Sequence, residues 1–179
     1  GDLDLYLVQN SFSPEPETGR MDGGVSLLLE GDGTGNFKVI SSDRSGLTVA
    51  GDAKALSVTD LNGDGWPDFV IGLNNAAIRA FQNSGSTRNR ILKIRLIGKS
   101  GNPTAVGARV TVTLSDQSTR TVESCSGGGY LSQSTAVLYI GLGPEKRVSD
   151  ISVRWPDGRT TKPALEFVDN HSLSAMQPE

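Results

Sequence analysis

Nowhere along this chain of 179 residues do apolar positions hold a 3.6-residue period for ten residues; they recur at period two or in short runs broken by glycine-rich turns. Leu92, Ile94 and Leu96 alternate with Lys93 and Arg95. Val110, Val112 and Leu114 alternate with Arg109, Thr111 and Thr113, and Ile151, Val153 and Trp155 with Ser152 and Arg154. Leu5 to Val8, Val25 to Leu29, Phe37 to Ile40, Ala55 to Thr59, Phe69 to Leu73 and Ile78 to Phe81 read as further strands. Successive side chains of a strand point to opposite faces, so this patterning predicts an all-β protein whose second half has sheets buried on one side. Turns such as Gly31 to Asn36 and Pro156-Asp157-Gly158 separate the segments.

Charge divides the chain in two. Residues 1–87 carry 12 acids against 5 bases, net −7, and residues 88–179 carry 8 acids against 12 bases, net +4. The polar stretch Asn83 to Arg90 lies between them, so we expect one unit over 1–87 and a second over 88–179. Hydrophobic residues at 36% plus 22 glycines suffice for a core. No run approaches the ~18 apolar residues of a membrane span, so no membrane insertion is expected. A single cysteine, Cys125, excludes an internal disulfide framework, and a single histidine, His171, leaves little scope for imidazole chemistry. A pI near 5.2 with few aromatics argues against nucleic acid.

Glycines used as landmarks expose a repeat. Gly1-Asp2-Leu3-Asp4-Leu5-Tyr6-Leu7 aligns with Gly65-Trp66-Pro67-Asp68-Phe69-Val70-Ile71, and Leu28 to Gly33 follows the first copy as Ala80 to Gly85 follows the second, with Ser11 to Gly24 inserted. Units of this size built from several strands suggest propeller blades or a β-solenoid.

Within the second copy, Asp60-Leu61-Asn62-Gly63-Asp64-Gly65-Trp66-Pro67-Asp68 places side-chain oxygens at relative positions 1, 3, 5 and 9 with glycine at 6. Ca²⁺ takes six to eight hard oxygen ligands, and alternating Asp and Asn on a tightly turning backbone supplies several from one short stretch. Asp60, Asn62, Asp64 and Asp68, with the Trp66 carbonyl, are therefore the candidate Ca²⁺ ligands. Without a cation, two carboxylates ~4 Å apart would repel by about 4 kcal/mol at an effective dielectric of 20. An EF-hand is excluded, because position 12 is Ile71 rather than Glu and the flanks read as strands. The alternative is a metal-free turn in which Asp and Asn accept from nearby backbone amides. Asp2 and Asp4 would be the tail of a second loop, with no metal expected there.

The stretch from Gly51 to Gly72 resembles an FG-GAP or VCBS-type repeat, the calcium-loop blade of integrin-like propellers. Five further blocks resemble, in order, the ASPIC/UnbV domain: Arg90 to Gly98, Ala105 to Val110, Gly128 to Ser134, Gly141-Leu142-Gly143, and Val153 to Gly158. That pairing characterises the cartilage acidic protein family. The resemblance implies a calcium-stabilised protein, extracellular, cell-surface or periplasmic, with an adhesive or ligand-binding role and no accepted catalytic residues. It also implies a fold: a partial β-propeller-like segment joined to a small β-sandwich or barrel-like domain. A propeller needs four to eight blades, and about one and a half are present, so the chain is expected to be a fragment. Uncovered strand edges and faces should then self-associate or pack onto the second module.

Lys93, Arg95, Arg109 and Arg154 fall on the polar phase of their strands. Gathered on one face, they would attract a surface glycan or an acidic extracellular protein; a solvated face, or docking against the acidic first half, explains them equally well. Asp150, Asp157 and Glu166 are the carboxylates a carbohydrate-active hydrolase would use, although their spacing singles out none of them. A pure structural spacer is the third reading. Gly127-Gly128-Gly129 lacks the spacing of a phosphate loop. Cys125 is expected half-buried on a strand, Trp155 in the core, and Trp66 exposed.

Overall fold

The structure, a computed structural model, describes residues 3–9, 15–18, 24–86, 88–144, 147–163 and 172–178. Among them the chain is all-β apart from one helical turn. Strands β1 (Leu5–Leu7), β2 (Leu27–Gly31) and β3 (Phe37–Ile40) form an antiparallel sheet in that order. The turn α1 (Ser42–Ser45), ended by Gly46 in the left-handed conformation, precedes a second antiparallel sheet of β4 (Ala53–Thr59), β5 (Asp68–Leu73) and β6 (Arg79–Phe81).

The repeat is visible in the register. Leu5 pairs with Leu29 across β1 and β2, as Phe69 pairs with Phe81 across β5 and β6. The aspartate at the start of β1 and of β5 also does the same work: Asp4, just before β1, accepts a hydrogen bond from the Gly31 amide at 2.9 Å, and Asp68, the first residue of β5, from the Asn83 amide at 2.7 Å. Among the described residues β3 has no counterpart after β6, nor β4 before β1, so the two copies sample different parts of one unit. Most of the Ser11 to Gly24 insertion, with Asp2, Glu166 and His171, lies outside the described residues.

The two repeat sheets stack on one another. Tyr6 lies on Phe69 with ring centroids 5.0 Å apart, over a small core of Val49, Ala53 and Ile71 rimmed by Val8, Leu56, Leu73 and Phe81. Leu5, Leu7 and Leu29 hold in the first sheet the places of Phe69, Ile71 and Phe81 in the second. On that face Leu5, Leu7, Phe37 and Val39 remain exposed, Val39 at 56%.

The second unit has a much larger core. Strands β7 (Arg90–Ile97), β8 (Arg109–Leu114), β9 (Thr119–Glu123), β10 (Leu138–Gly143), β11 (Val148–Arg154), β12 (Thr160–Thr161) and β13 (Ser172–Met176) make two sheets, ordered β10-β7-β13 and β12-β11-β8-β9. Leu92, Ile94 and Leu96 of β7 meet Val110, Val112 and Leu114 of β8 in one buried cluster, so the unit is a sandwich and not a closed barrel. At roughly 1.5–3 kcal/mol per fully buried large aliphatic side chain, this core outweighs that of the repeats several-fold. Trp155 anchors it at 2% exposure and donates from Nε1 to Thr161 Oγ1 at 2.8 Å. Cys125 corrects the sequence reading: it is exposed, in the loop after β9, because the strand ends at Glu123 and the neighbouring Ser124 takes the buried place.

Contacts of long sequence separation join the units. The Thr135 amide donates to the Val58 carbonyl at 3.0 Å, and the Val58 amide donates to Ser134 Oγ at 3.0 Å. The segment between β9 and β10 thus covers the outer edge of β4, one of the edges expected to be bare.

Candidate functional site: the Asp60–Asp68 loop and its cationic neighbour

The loop joins β4 to β5 as a strand-loop-strand unit, and Gly63 and Gly65 bend it at φ +76° and +93°, conformations that side-chain-bearing residues rarely adopt. Its oxygens accept backbone amides. Asp60 accepts from Gly63 at 2.8 Å and from Gly65 at 2.9 Å, one amide per oxygen. Asn62 accepts from the Asp64 amide at 3.1 Å and donates through Nδ2 to Asp64 at 2.8 Å; Asp64 accepts from the Trp66 amide at 2.8 Å. The Trp66 amide, then the Asn62 side chain, hold the Asp64 carboxyl below its ordinary value, with a smaller contribution from Lys93.

Asp68 stands apart from the other loop residues. It is fully buried, and besides Asn83 it binds the Leu61 amide at 2.8 Å, so one carboxylate ties the start of the loop to the strand end that leads into the second unit. This role was not read from the sequence, though the alignment of Asp68 with Asp4 was its signal. Trp66, expected exposed, is half-buried: a β-carbon on Gly85 would lie 2.6 Å from its Nε1, so only glycine lets the chain pass there.

The donor chemistry fits Ca²⁺. All candidate ligands are oxygens, and a carboxylate oxygen that accepts one amide keeps a second lone-pair direction for a cation. As arranged, the loop is a network of Asx turns, and no group of three Asp, Glu, His or Cys side chains among the described residues is gathered as a metal centre. In the first copy, Asp32 forms a comparable turn. It accepts from the Thr34 hydroxyl at 2.7 Å and the Thr34 amide at 2.8 Å, and these bonds lower its pKa to about 2.

The four candidate cations do not share a face, so of the alternatives above a single basic surface built from all four is ruled out. Lys93 and Arg95 lie on the outer face of β10-β7-β13, beside Tyr139, Ser172 and Ser174 in register. Arg109 and Arg154 pair with each other on the outer face of the other sheet, where Glu123 binds Arg109 at 3.3 Å. The physical reason is that the two sheets stack face to face, so the polar phases of β7 and β8 point in opposite directions. Lys93 reaches the loop: a β-carbon on Gly65 would sit 3.1 Å from its Nζ. Tyr139 is drawn in as well. Burial raises its pKa, the charges of Asp60 and Asp68 add to the rise, and a hydrogen bond from the Asp60 backbone works the other way.

Of the carboxylates a hydrolase would need, Asp150 is ion-paired with Lys162 at 2.9 Å and Asp157 with Arg159 at 2.8 Å. Asp150 lies near the start of β11 and Asp157 in the turn beyond its end, and the strand from Asp150 to Arg154 alone spans ~13 Å. That exceeds the roughly 5–9.5 Å between the carboxyls of glycosidases.

Residues 54–77 match the FG-GAP repeat family, and residues 98–171 match the family described as ASPIC and UnbV. The chain carries an FG-GAP repeat followed by an ASPIC/UnbV domain, the architecture its sequence blocks resemble. No curated protein matches the chain. The two domains indicate an extracellular-type, β-rich module, and domains of these two kinds are generally non-catalytic. FG-GAP domains typically occur in extracellular or surface proteins, and no helix among the described residues is long and apolar enough to cross a membrane.

Proposed function

We propose that this chain is a non-catalytic, calcium-stabilised binding module of a secreted or surface protein that engages a surface glycan or an extracellular protein. The observation that supports it is the strand-loop-strand unit from Asp60 to Asp68, whose side-chain donors are all oxygens and which abuts the cationic outer face of β7. Asp60, Asn62, Asp64 and Asp68, with the Trp66 carbonyl, would hold the ion. Bound there, Ca²⁺ would neutralise the loop's carboxylates and stiffen the link between β4 and β5. Lys93, beside Gly65, supplies a positive charge of the chain's own at the same place. The test is thermal unfolding in calcium and in EGTA, repeated on Asp64→Ala. Calcium at 100 times its dissociation constant should add about 2.7 kcal/mol, and the variant should lose that response. Unfolding curves that coincide in calcium and EGTA, with no calcium in the purified protein by elemental analysis, would refute the metal reading.

A further inference from the structure

Between the loop and the outer face of β10-β7-β13 lies an open cleft of about 440 Å³, within the roughly 300–1,000 Å³ range of small-ligand sites. Its walls come from both domains: Thr59 and Asp60 from the end of β4, and residues of β7, β10 and β13 from the sandwich. Lys93 and Arg95 project into it from adjacent outward positions of one strand, and among the described residues neither makes an ion pair. The hydroxyl-bearing residues Thr59, Thr135, Ser172 and Ser174 also line it, with Tyr139 beside Lys93 in register. The one carboxylate among the lining residues, Asp60, accepts the Gly63 and Gly65 amides, one at each oxygen, so two backbone donors of the loop face its charge.

We propose that this cleft binds an acidic sugar residue of a glycan, with Lys93 and Arg95 holding its carboxylate or sulfate and the hydroxyl-bearing residues meeting its ring hydroxyls. Charge selects the anion, because a planar guanidinium beside an ammonium can hold a carboxylate by charge-assisted hydrogen bonds. The lining selects the sugar, because hydroxyls both donate and accept, as ring hydroxyls require. An acidic peptide would instead call for free backbone donors and acceptors along a strand edge. Here β7 is central in its sheet, between β10 and β13, and offers none. The inference deepens the binding role proposed above and rests on it, but not on the metal.

The experiment is calorimetric titration of the whole chain with two tetrasaccharides that share a backbone, neutral cellotetraose and its C6-oxidised tetraglucuronate, and with sodium sulfate as the bare anion. Each titration is run in calcium and in EGTA. Tetraglucuronate should bind saturably and at least tenfold more tightly than either cellotetraose or sulfate. Lys93→Gln and Arg95→Gln should each weaken it at least tenfold, whereas Arg109→Gln and Arg154→Gln on the opposite face should leave it within twofold. Equal weakening by either pair would overturn the proposal by reducing the effect to net charge. Sulfate binding as tightly as the tetraglucuronate would overturn the sugar assignment. Binding retained in EGTA by a chain whose melting ignores calcium would support the cleft while refuting the metal reading; absent binding in a chain that calcium does stabilise would refute the cleft alone.

Discussion

Replacing Asp68 by alanine separates what this carboxylate does within the fold from anything it does toward a cation. The substitution leaves two backbone donors, the amides of Leu61 and Asn83, without their acceptor in a partly buried setting. An unsatisfied buried donor costs roughly 1–3 kcal/mol, and partial access to water trims the sum to about 2–4 kcal/mol. That is comparable to burying one large aliphatic side chain of the repeat core, whose buried members among the described residues are Val49, Ala53 and Ile71. The loss should therefore fall on the repeat unit and spare the sandwich. The two tryptophans report on the units separately, Trp66 in the loop and Trp155 in the sandwich core, so their indole N–H signals can be followed by NMR through a urea titration in EGTA. With a slope of roughly 1–3 kcal/mol per molar urea, the Trp66 midpoint of Asp68→Ala should drop by about 0.7–4 M while that of Trp155 holds. Asp68→Asn keeps one acceptor and should lose about half as much; Asp4→Ala, with a single exposed bond, should lose least. A Trp66 midpoint equal to that of the unmodified chain in EGTA would refute the reasoning and leave Asp68 with no role but a ligand's.

Gly85→Ala places a methyl 2.6 Å from Trp66 Nε1 at a backbone φ of +73°, so it should lower the Trp66 transition by about 1–3 kcal/mol and shift the Trp66 fluorescence; an unchanged spectrum would count against that packing. Asp32, at about 2 instead of 3.8, and Asp157, held further below the ordinary range chiefly by Arg159, have depressed pKa values in the fold. Their contribution is complete above the ordinary carboxylate range and fades as pH falls from about 4 toward 2. Asp32→Asn and Asp157→Asn should flatten that acid limb in thermal melts, and an identical limb would contradict it. The exposed face of Leu5, Leu7 and Val39 matches, position for position, the face of the second sheet that Tyr6 and Val8 cover, and self-association through it is the expectation to test. Sedimentation should detect concentration-dependent association that Leu5→Lys or Val39→Lys weakens; a strict monomer at high concentration would argue against it.

The strand content was legible in local pattern, because alternation in Leu92 to Leu96 and Val110 to Leu114 is itself the geometry of a strand with one buried face. The repeat was legible for a related reason: a glycine at a positive-φ turn and an aspartate that caps it recur wherever the same unit recurs. The loop's donor set was also local, since five positions within nine residues carry it. The strands β9, β10 and β13 did not announce themselves; in Leu138 to Gly143 the glycines interrupt the alternation, and the sheet around them supplies what the pattern lacks.

Which cations share a face was beyond any local reading. Lys93 and Arg109 have the same phase on their strands, but the stacking of the two sheets turns one toward the FG-GAP loop and the other away from it. The cleft likewise joins Thr59 to Ser174, 115 positions apart, and no spacing rule links residues that meet only because two domains dock. The sequence by itself determined the elements and the chemistry each carries, because these depend on neighbours along the chain. Tertiary structure decided which of those groups converge, because that depends on how buried faces are paired in space.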